Sequence, residues 1–175
     1  SQVRFCVVPA GRRSGKTELA KRRLVRRALL ARGYDDPRFF AAAPTRDQAK
    51  RIFWDDLKRM VDRTLLADRP SETELSIQLV TGSSIHVLGM DVPARMEGTP
   101  WDGGLLDEYG NMKAGLWGEN VRPALSDRKG CCDLIGVPEG RNHYYDLWKK
   151  AISGADPEWA GYTWPSAWIL PSEDI

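Results

Sequence analysis

Long apolar runs are missing from this 175-residue chain. Every uninterrupted apolar stretch is strand-sized, well short of the ~20 residues that a membrane-spanning helix requires. No secretory leader is visible, because a strand-like run begins almost at the N-terminus. Histidine is scarce, at two residues. His86 falls in an alternating strand, which predicts a hairpin face, and His143 stands beside Asn142 at a helix start, which predicts a capping or surface group; neither has a neighbour that suggests catalysis. Cysteine is limited to Cys6, Cys131 and Cys132. None shows metal-ligand spacing and all fall in expected strands, so they read as reduced, buried, cytosolic thiols without chemistry of their own. What remains is ordinary globular composition, 42% hydrophobic, enough for one core and one domain over residues 1–175.

Against that background one segment stands out. AGRRSGKT, Ala10 to Thr17, follows the apolar run VRFCVVP, Val3 to Pro9, and looks like a Walker A phosphate-binding loop. Such a loop must curl its backbone round a polyphosphate, with N–H groups pointing inward and a helix N-terminus behind them. Gly11 and Gly15 supply the bend, with Arg12, Arg13 and Ser14 between them. Lys16 would reach the β- and γ-phosphates, and the Thr17 hydroxyl would take one position on Mg²⁺. Ala10 stands where the strict pattern has its first glycine.

About ninety residues on, WDGGLLDEYG, Trp101 to Gly110, reads as a short strand ending in two adjacent carboxylates. In ATPases with a phosphate loop, the strand beside that loop ends in this way: the Asp, here Asp107, holds Mg²⁺, and the Glu, here Glu108, polarises the attacking water. Adjacent carboxylates suit an enzyme that hydrolyses the nucleotide with its own base. They argue against a small-molecule kinase or a GTPase switch.

Charge is unevenly spread. Residues 1–65 carry a net +10 and residues 66–175 a net −8. The basic excess centres on KRRLVRR, Lys21 to Arg27, on a helix whose inner stripe is expected to be Leu19, Ala20, Leu24, Ala28 and Ala31. The run is either a solvated face or a surface turned to a polyanion such as nucleic acid.

Strands and helices alternate along the rest. FFAAAP (Phe39 to Pro44) predicts a buried strand, and Thr45 caps a long helix through about Leu66 with Ala49, Ile52, Phe53, Leu57, Met60 and Val61 inward. LSIQLV and SIHVLG, within Glu74 to Gly89, flank a Thr81–Ser84 turn and predict an antiparallel hairpin at one edge. A helix near Ala114 to Leu125, a strand at Cys131 to Val137, a helix from Asn142 and a last strand in GYTWPS complete the pattern. It predicts an α/β fold, a mostly parallel sheet flanked by helices, with Lys16, Asp107 and Glu108 at the strands' C-terminal edge. Of the seven tryptophans, Trp54, Trp117 and Trp148 suit helix inner faces.

Taken together, the chain resembles the large terminase subunits of tailed bacteriophages, the ATP-driven motors of DNA packaging. The likeness is carried by AGRRSGKT, APTRDQAKRIFWDDL (Ala43 to Leu57), LLDEYGNM and GVPEGRNHYYDLW (Gly136 to Trp148). The resemblance implies a P-loop NTPase of the additional-strand, catalytic-glutamate type, with ATP as substrate and Mg²⁺ as cofactor. It implies a coupling motif at Gly136, Val137 and Pro138, where Val137 replaces the usual hydroxyl residue. It offers Arg12 or Arg95 as the catalytic cation that offsets transition-state charge, Arg12 in the loop itself and Arg95 where the family has an Arg that can reach a neighbouring subunit's nucleotide, while a plain salt-bridging role for Arg95 stays open. Implied partners are double-stranded DNA, the portal protein, the small terminase subunit and further copies in a ring, with a monomer in isolation. The implied location is the host cytoplasm, at the procapsid portal. Full-length members continue into an RNase H-like nuclease domain absent here, against which Trp159, Trp164 and Trp168 could pack. The family's adenine-contacting Gln lies upstream of the first strand, and Gln2 is no substitute. A nucleic-acid helicase or translocase, and a non-catalytic nucleotide-binding docking module, are the alternatives.

Overall fold

The structure, a computed structural model, describes residues 3–166; Gln2 and Trp168 lie outside that range. Near-continuous apolar runs along the inner strands build a sheet with two covered faces. β1 (Phe5–Pro9) leads through a loop to α1 (Lys16–Leu30), then β2 (Arg38–Ala43). Thr45 caps α2 (Arg46–Ala49) through a capping box with Gln48. This helix runs on through a π-helical segment (Lys50–Trp54) into α3 (Asp55–Met60). β3 (Ser76–Gln78) and β4 (Ser84–Gly89) follow, then β5 (Gly103–Leu106), a π-helical segment (Trp117–Val121) continued as α4 (Arg122–Ser126), β6 (Cys131–Gly136), α5 (His143–Ile152) and β7 (Trp159–Gly161).

Among the described residues, seven strands are ordered β3-β4-β2-β5-β6-β1-β7. Only β3 runs antiparallel, pairing Ile77 with Ile85 of β4 at the sheet edge; the remaining pairs are parallel. Successive side chains point to opposite faces, so Phe39, Ala41 and Ala43 join Leu24, Ala28, Phe53 and Leu57 on one side. Phe40 and Ala42 join Phe5, Trp117, Leu125 and Tyr144 on the other. Coverage on both faces is why β2 reads as an unbroken apolar run. Among the described residues, no helix is long and apolar enough to cross a membrane.

Several expectations are corrected. Leu19 is 50% exposed, and Lys21 and Val25 are buried on α1 instead. The long helix stops at Met60, where Val61 turns extended. Asp62 then accepts from the Thr64 N–H at 2.8 Å and starts a separate 3₁₀ turn, Arg63–Leu65, a local side-chain bond competing with the helix. The helix expected near Ala114 begins at Trp117, and its π-helical portion precedes Pro123, which has no N–H for the ladder. The last strand lies earlier than GYTWPS, at Trp159–Gly161. Trp159 is core, its ring 5.0 Å from Phe5 and 5.3 Å from Trp117, so it is not held for another domain. Trp54 and Trp117 are buried and Trp148 packs partly buried against the core. The three thiols are free, Cys6 and Cys132 buried and Cys131 partly so.

The basic run on α1 fits neither expectation in full. Lys21 pairs with Asp56, Arg22 with Glu18 at 2.9 Å, and Arg23 and Arg27 both with the buried Asp133 of β6, at 3.2 and 3.0 Å. Among the described residues, Arg26 is the exposed member of the run without an ion pair. His86 meets Ser84 Oγ at 2.9 Å and the edge of Trp101. His143 opens α5 behind the capping Asn142 and contacts the Tyr109 carbonyl at 3.2 Å.

Candidate functional site

The loop between β1 and α1 is bent by left-handed residues: Arg13 has φ 56° and Gly15 has φ 76°, ψ 0°. Gly15 caps α1 without any side-chain bond to the helix N–H groups. A 15-residue helix therefore presents its positive end towards the loop, with donors unclaimed among the described residues. Ser14 is buried, and among the described residues its Oγ has no partner. A buried hydroxyl left unsatisfied costs free energy that a ligand oxygen would recover.

Lys16 is buried, its Nζ donating to the Gly11 carbonyl at 3.2 Å. Burial lowers its pKa, and the carboxylates of Asp107 and Glu108 oppose that shift. Thr17 Oγ1 donates to Asp107 Oδ2 at 2.9 Å across ninety residues of sequence. Asp107, just past β5, is 4% exposed. Burial raises its pKa, while the Thr17 hydroxyl and the Glu108 N–H, donating to Oδ1 at 2.8 Å, pull it down. Glu108 has φ 57°, an unusual conformation for a residue with a Cβ, and its Oε2 accepts from Asn111 Nδ2 at 2.9 Å.

The strand ending in these carboxylates is not the neighbour of β1. β6 lies between β1 and β5, so the expectation of an adjacent strand is corrected: an inserted strand separates the two motifs. The end of β6 fills the gap. The Ala10 N–H bonds the Gly136 carbonyl at 3.1 Å, and a Cβ on Gly136 would stand 3.2 Å from Tyr144 Cε1 and 3.7 Å from Glu108 Cα. Glycine at 136 lets loop, carboxylate turn and α5 converge. Val137 is half-buried and Pro138 exposed.

Arg12 is exposed and close enough to Lys16 to disfavour its charge. Arg95 sits on a 3₁₀ turn, Pro93–Met96, exposed and without an ion pair among the described residues. Among the described residues, no side-chain hydrogen bond or ion pair ties it to the loop. Among the described residues no group of three or more His, Cys, Asp and Glu side chains gathers as a metal site. Thr17 and Asp107 offer two hard oxygens, which suits Mg²⁺, an ion that keeps several waters and takes its remaining ligands from phosphate. Asn111, three residues beyond Glu108 in the quoted LLDEYGNM, carried no expectation. Thr163 to Ser166 was expected only as strand, and Trp164 only as a contact for another domain; instead the Trp164 Nε1–H bonds the Ser14 carbonyl, 150 positions away in the chain, a partner that no local pattern announces.

A loop of this shape at the head of a mostly parallel sheet, facing carboxylates on the next strand but one, defines a P-loop-type α/β domain. The family described as terminase large subunit, T4likevirus-type, N-terminal, matches residues 8–165, and the chain belongs to it. It is 28% identical over 166 residues to the terminase large subunit of Thermus virus P23-45, covering 82% of this chain and 33% of that protein. It is 29% identical over 163 residues to its counterpart in Thermus phage G20c, with the same coverage. The chain thus spans about a third of the length of the curated relatives it matches. In structure it is similar to the large terminase ATPase domain of Thermus phage P74-26, with TM-score 0.78, 21% identity and coverage of 99% of this chain and 86% of that one. The large terminase of a further thermophilic bacteriophage, in complex with ADP, gives TM-score 0.78 at 16% identity, covering 98% and 43%.

Proposed function

We propose that this domain binds Mg-ATP in the Ala10–Thr17 loop and hydrolyses it, and that turnover drives double-stranded viral DNA into a procapsid. The observation that carries the reading is the bond between Thr17 Oγ1 and Asp107 Oδ2. It joins two distant motifs through the pair of oxygens a nucleotide-bound Mg²⁺ needs. Family membership supports it, as do the structures of that thermophilic phage terminase with ADP and with ATP-γ-S.

In this reading the α1 N-terminus, the loop N–H groups of Arg12 to Thr17 and the Ser14 hydroxyl donate to phosphate oxygens. Lys16, kept close by burial and by Asp107 and Glu108, meets the β- and γ-phosphates. Thr17 and Asp107 hold Mg²⁺, which when bound spreads the phosphate charge. Glu108, held by Asn111, takes the proton of the attacking water. Arg12 offsets transition-state charge within the chain, and Arg95 does so for a neighbouring copy in a ring. Gly136, between loop and carboxylate turn, and Val137 and Pro138 after it relay the state of the site to α5. Partners in this scheme are DNA, portal, small subunit and further copies, at the procapsid portal in the host cytoplasm.

Calorimetry with ADP and ATP-γ-S, with and without Mg²⁺, tests binding, and phosphate release with and without DNA tests turnover. Mg²⁺-dependent binding that Lys16→Ala abolishes is expected. Binding that survives Lys16→Ala would sink the site assignment.

A further inference from the structure

A loop that turns its N–H groups inward must turn carbonyls outward, and those carbonyls also need partners. Two are met locally: Lys16 Nζ bonds the Gly11 carbonyl at 3.2 Å and the Leu19 N–H bonds the Gly15 carbonyl at 2.9 Å. Two others, and the carbonyl of Pro9 where β1 ends, are met from a segment near the far end of the chain. Thr163 Oγ1 donates to the Pro9 carbonyl at 2.7 Å, Trp164 Nε1 to that of Ser14 at 3.1 Å, and Ser166 Oγ to that of Arg12 at 2.6 Å. Backbone joins in, since the Gly11 N–H bonds the Trp164 carbonyl at 3.3 Å and Trp164 bridges to Ala10 in parallel fashion. The fit is close: a Cβ on Gly11 would collide with Ser166 Oγ.

We propose that Tyr162–Ser166 is a strap that holds the phosphate-facing loop in its binding shape, with Trp164 and Ser166 as positioning residues. The loop has reason to need one. It contains a non-glycine residue in the left-handed region, Arg13, and it has Ala10 where the usual motif has a permissive glycine. Such conformations persist only where surroundings over-determine them. Arg12 and Ser14, on either side of Arg13, are the residues whose carbonyls Ser166 and Trp164 hold. The strap follows β7, which is hydrogen-bonded to β1, so strap and loop leave from paired strands. A preorganised loop binds its ligand without the ordering cost a free loop would incur. The effect on nucleotide affinity rests on the function proposed above; the effect on loop order does not.

The test uses the full chain with Trp164→Phe, which keeps an aromatic ring but removes the donor, Ser166→Ala, the two combined, and Ser166→Thr, which restores the hydroxyl. Hydrogen exchange of the Gly11–Thr17 amides is read without nucleotide, then Kd for ADP and ATP-γ-S. The double variant is expected to speed loop exchange about tenfold while leaving the β2 and β4 amides unchanged. It should weaken both ligands about 30-fold, the worth of two hydrogen bonds of about 1 kcal/mol each. Ser166→Thr should match the unsubstituted chain. Unchanged loop exchange, exchange raised equally across the sheet, or Ser166→Thr behaving as Ser166→Ala would each overturn the proposal. Faster loop exchange in a chain that binds no nucleotide would uphold the strap and refute the nucleotide reading.

Discussion

Replacing Glu108 by Gln removes one negative charge and the capacity to accept a proton while keeping the length of the side chain. Its Oε2 accepts from Asn111 Nδ2 at 2.9 Å, and the Gln amide oxygen can accept the same bond. The left-handed backbone at φ 57°, a strain of roughly 1–2 kcal/mol for a residue with a Cβ, is common to both side chains. Folded stability should therefore move by no more than about 0.5 kcal/mol. A positioned general base contributes about 10²–10⁴ in rate, which is about 3–5 kcal/mol at about 1.4 kcal/mol per tenfold. Steady-state phosphate release should fall at least a hundredfold, with Kd for Mg-ATP from calorimetry within about threefold. Glu108→Gly is the informative companion. It relieves the backbone strain and loses the Asn111 bond, so its unfolding midpoint should be no lower than that of Glu108→Ala, yet turnover should be equally lost. Glu108→Gln hydrolysing ATP at the unsubstituted rate would refute the assignment of Glu108 as base.

Burial raises the Asp107 pKa, so its ionised form is penalised on folding: the group's contribution to stability is present below the ordinary carboxylate range near 4 and is lost as pH rises. Asp107→Asn should therefore raise the melting temperature of the nucleotide-free domain at pH 7, by roughly 2–4 °C per kcal/mol in a domain of this size, and the gain should vanish near pH 3; an equal gain at both pH values would contradict the burial argument. Burial lowers the His86 pKa, which favours the neutral ring, so stability from this group is held above pH ~6.5 and lost on acidification; an NMR titration with a midpoint at or above the free value would refute it. Specific activity should rise with protein concentration, and Arg95→Ala should remove the rise without changing nucleotide affinity, since an arginine supplied by a neighbour is worth about 10³–10⁵ in rate. Mixing Arg95→Ala with Glu108→Gln should restore part of it, and co-assembled mixtures that stay inactive would return Arg95 to a structural role.

Much of the domain's frame was legible in the residues. The period-2 alternation around Thr81–Ser84 announced the β3–β4 pair, and the apolar run Phe39–Ala43 announced a strand covered on both faces. Thr45 and Asn142 announced two helix starts through their capping chemistry, which acts within three residues. The placement of Lys16 and Thr17 at a loop–helix junction and of Asp107 and Glu108 past a strand was also visible, because glycine, charge and strand periodicity are local signals. Boundaries were less secure. The helix end near Leu66 was overrun because Asp62 diverts the chain with a bond to its own neighbour, and Leu19 was drawn inward because apolar spacing takes no account of the loop at the helix start.

Element order, the covered faces of the sheet and the short motifs at strand ends were thus settled within the chain itself, since each depends on backbone periodicity or on bonds spanning a few residues. Folding in three dimensions was needed to put β6 between β1 and β5, to spend Arg23 and Arg27 on Asp133 more than 100 residues away, and to draw Trp159 into the core. It alone laid Thr163, Trp164 and Ser166 over the loop, 154 positions from Arg12 in the case of Ser166. These contacts depend on the order in which strands enter the sheet and on which outward carbonyl meets which donor, and neither leaves a pattern in the residues on either side.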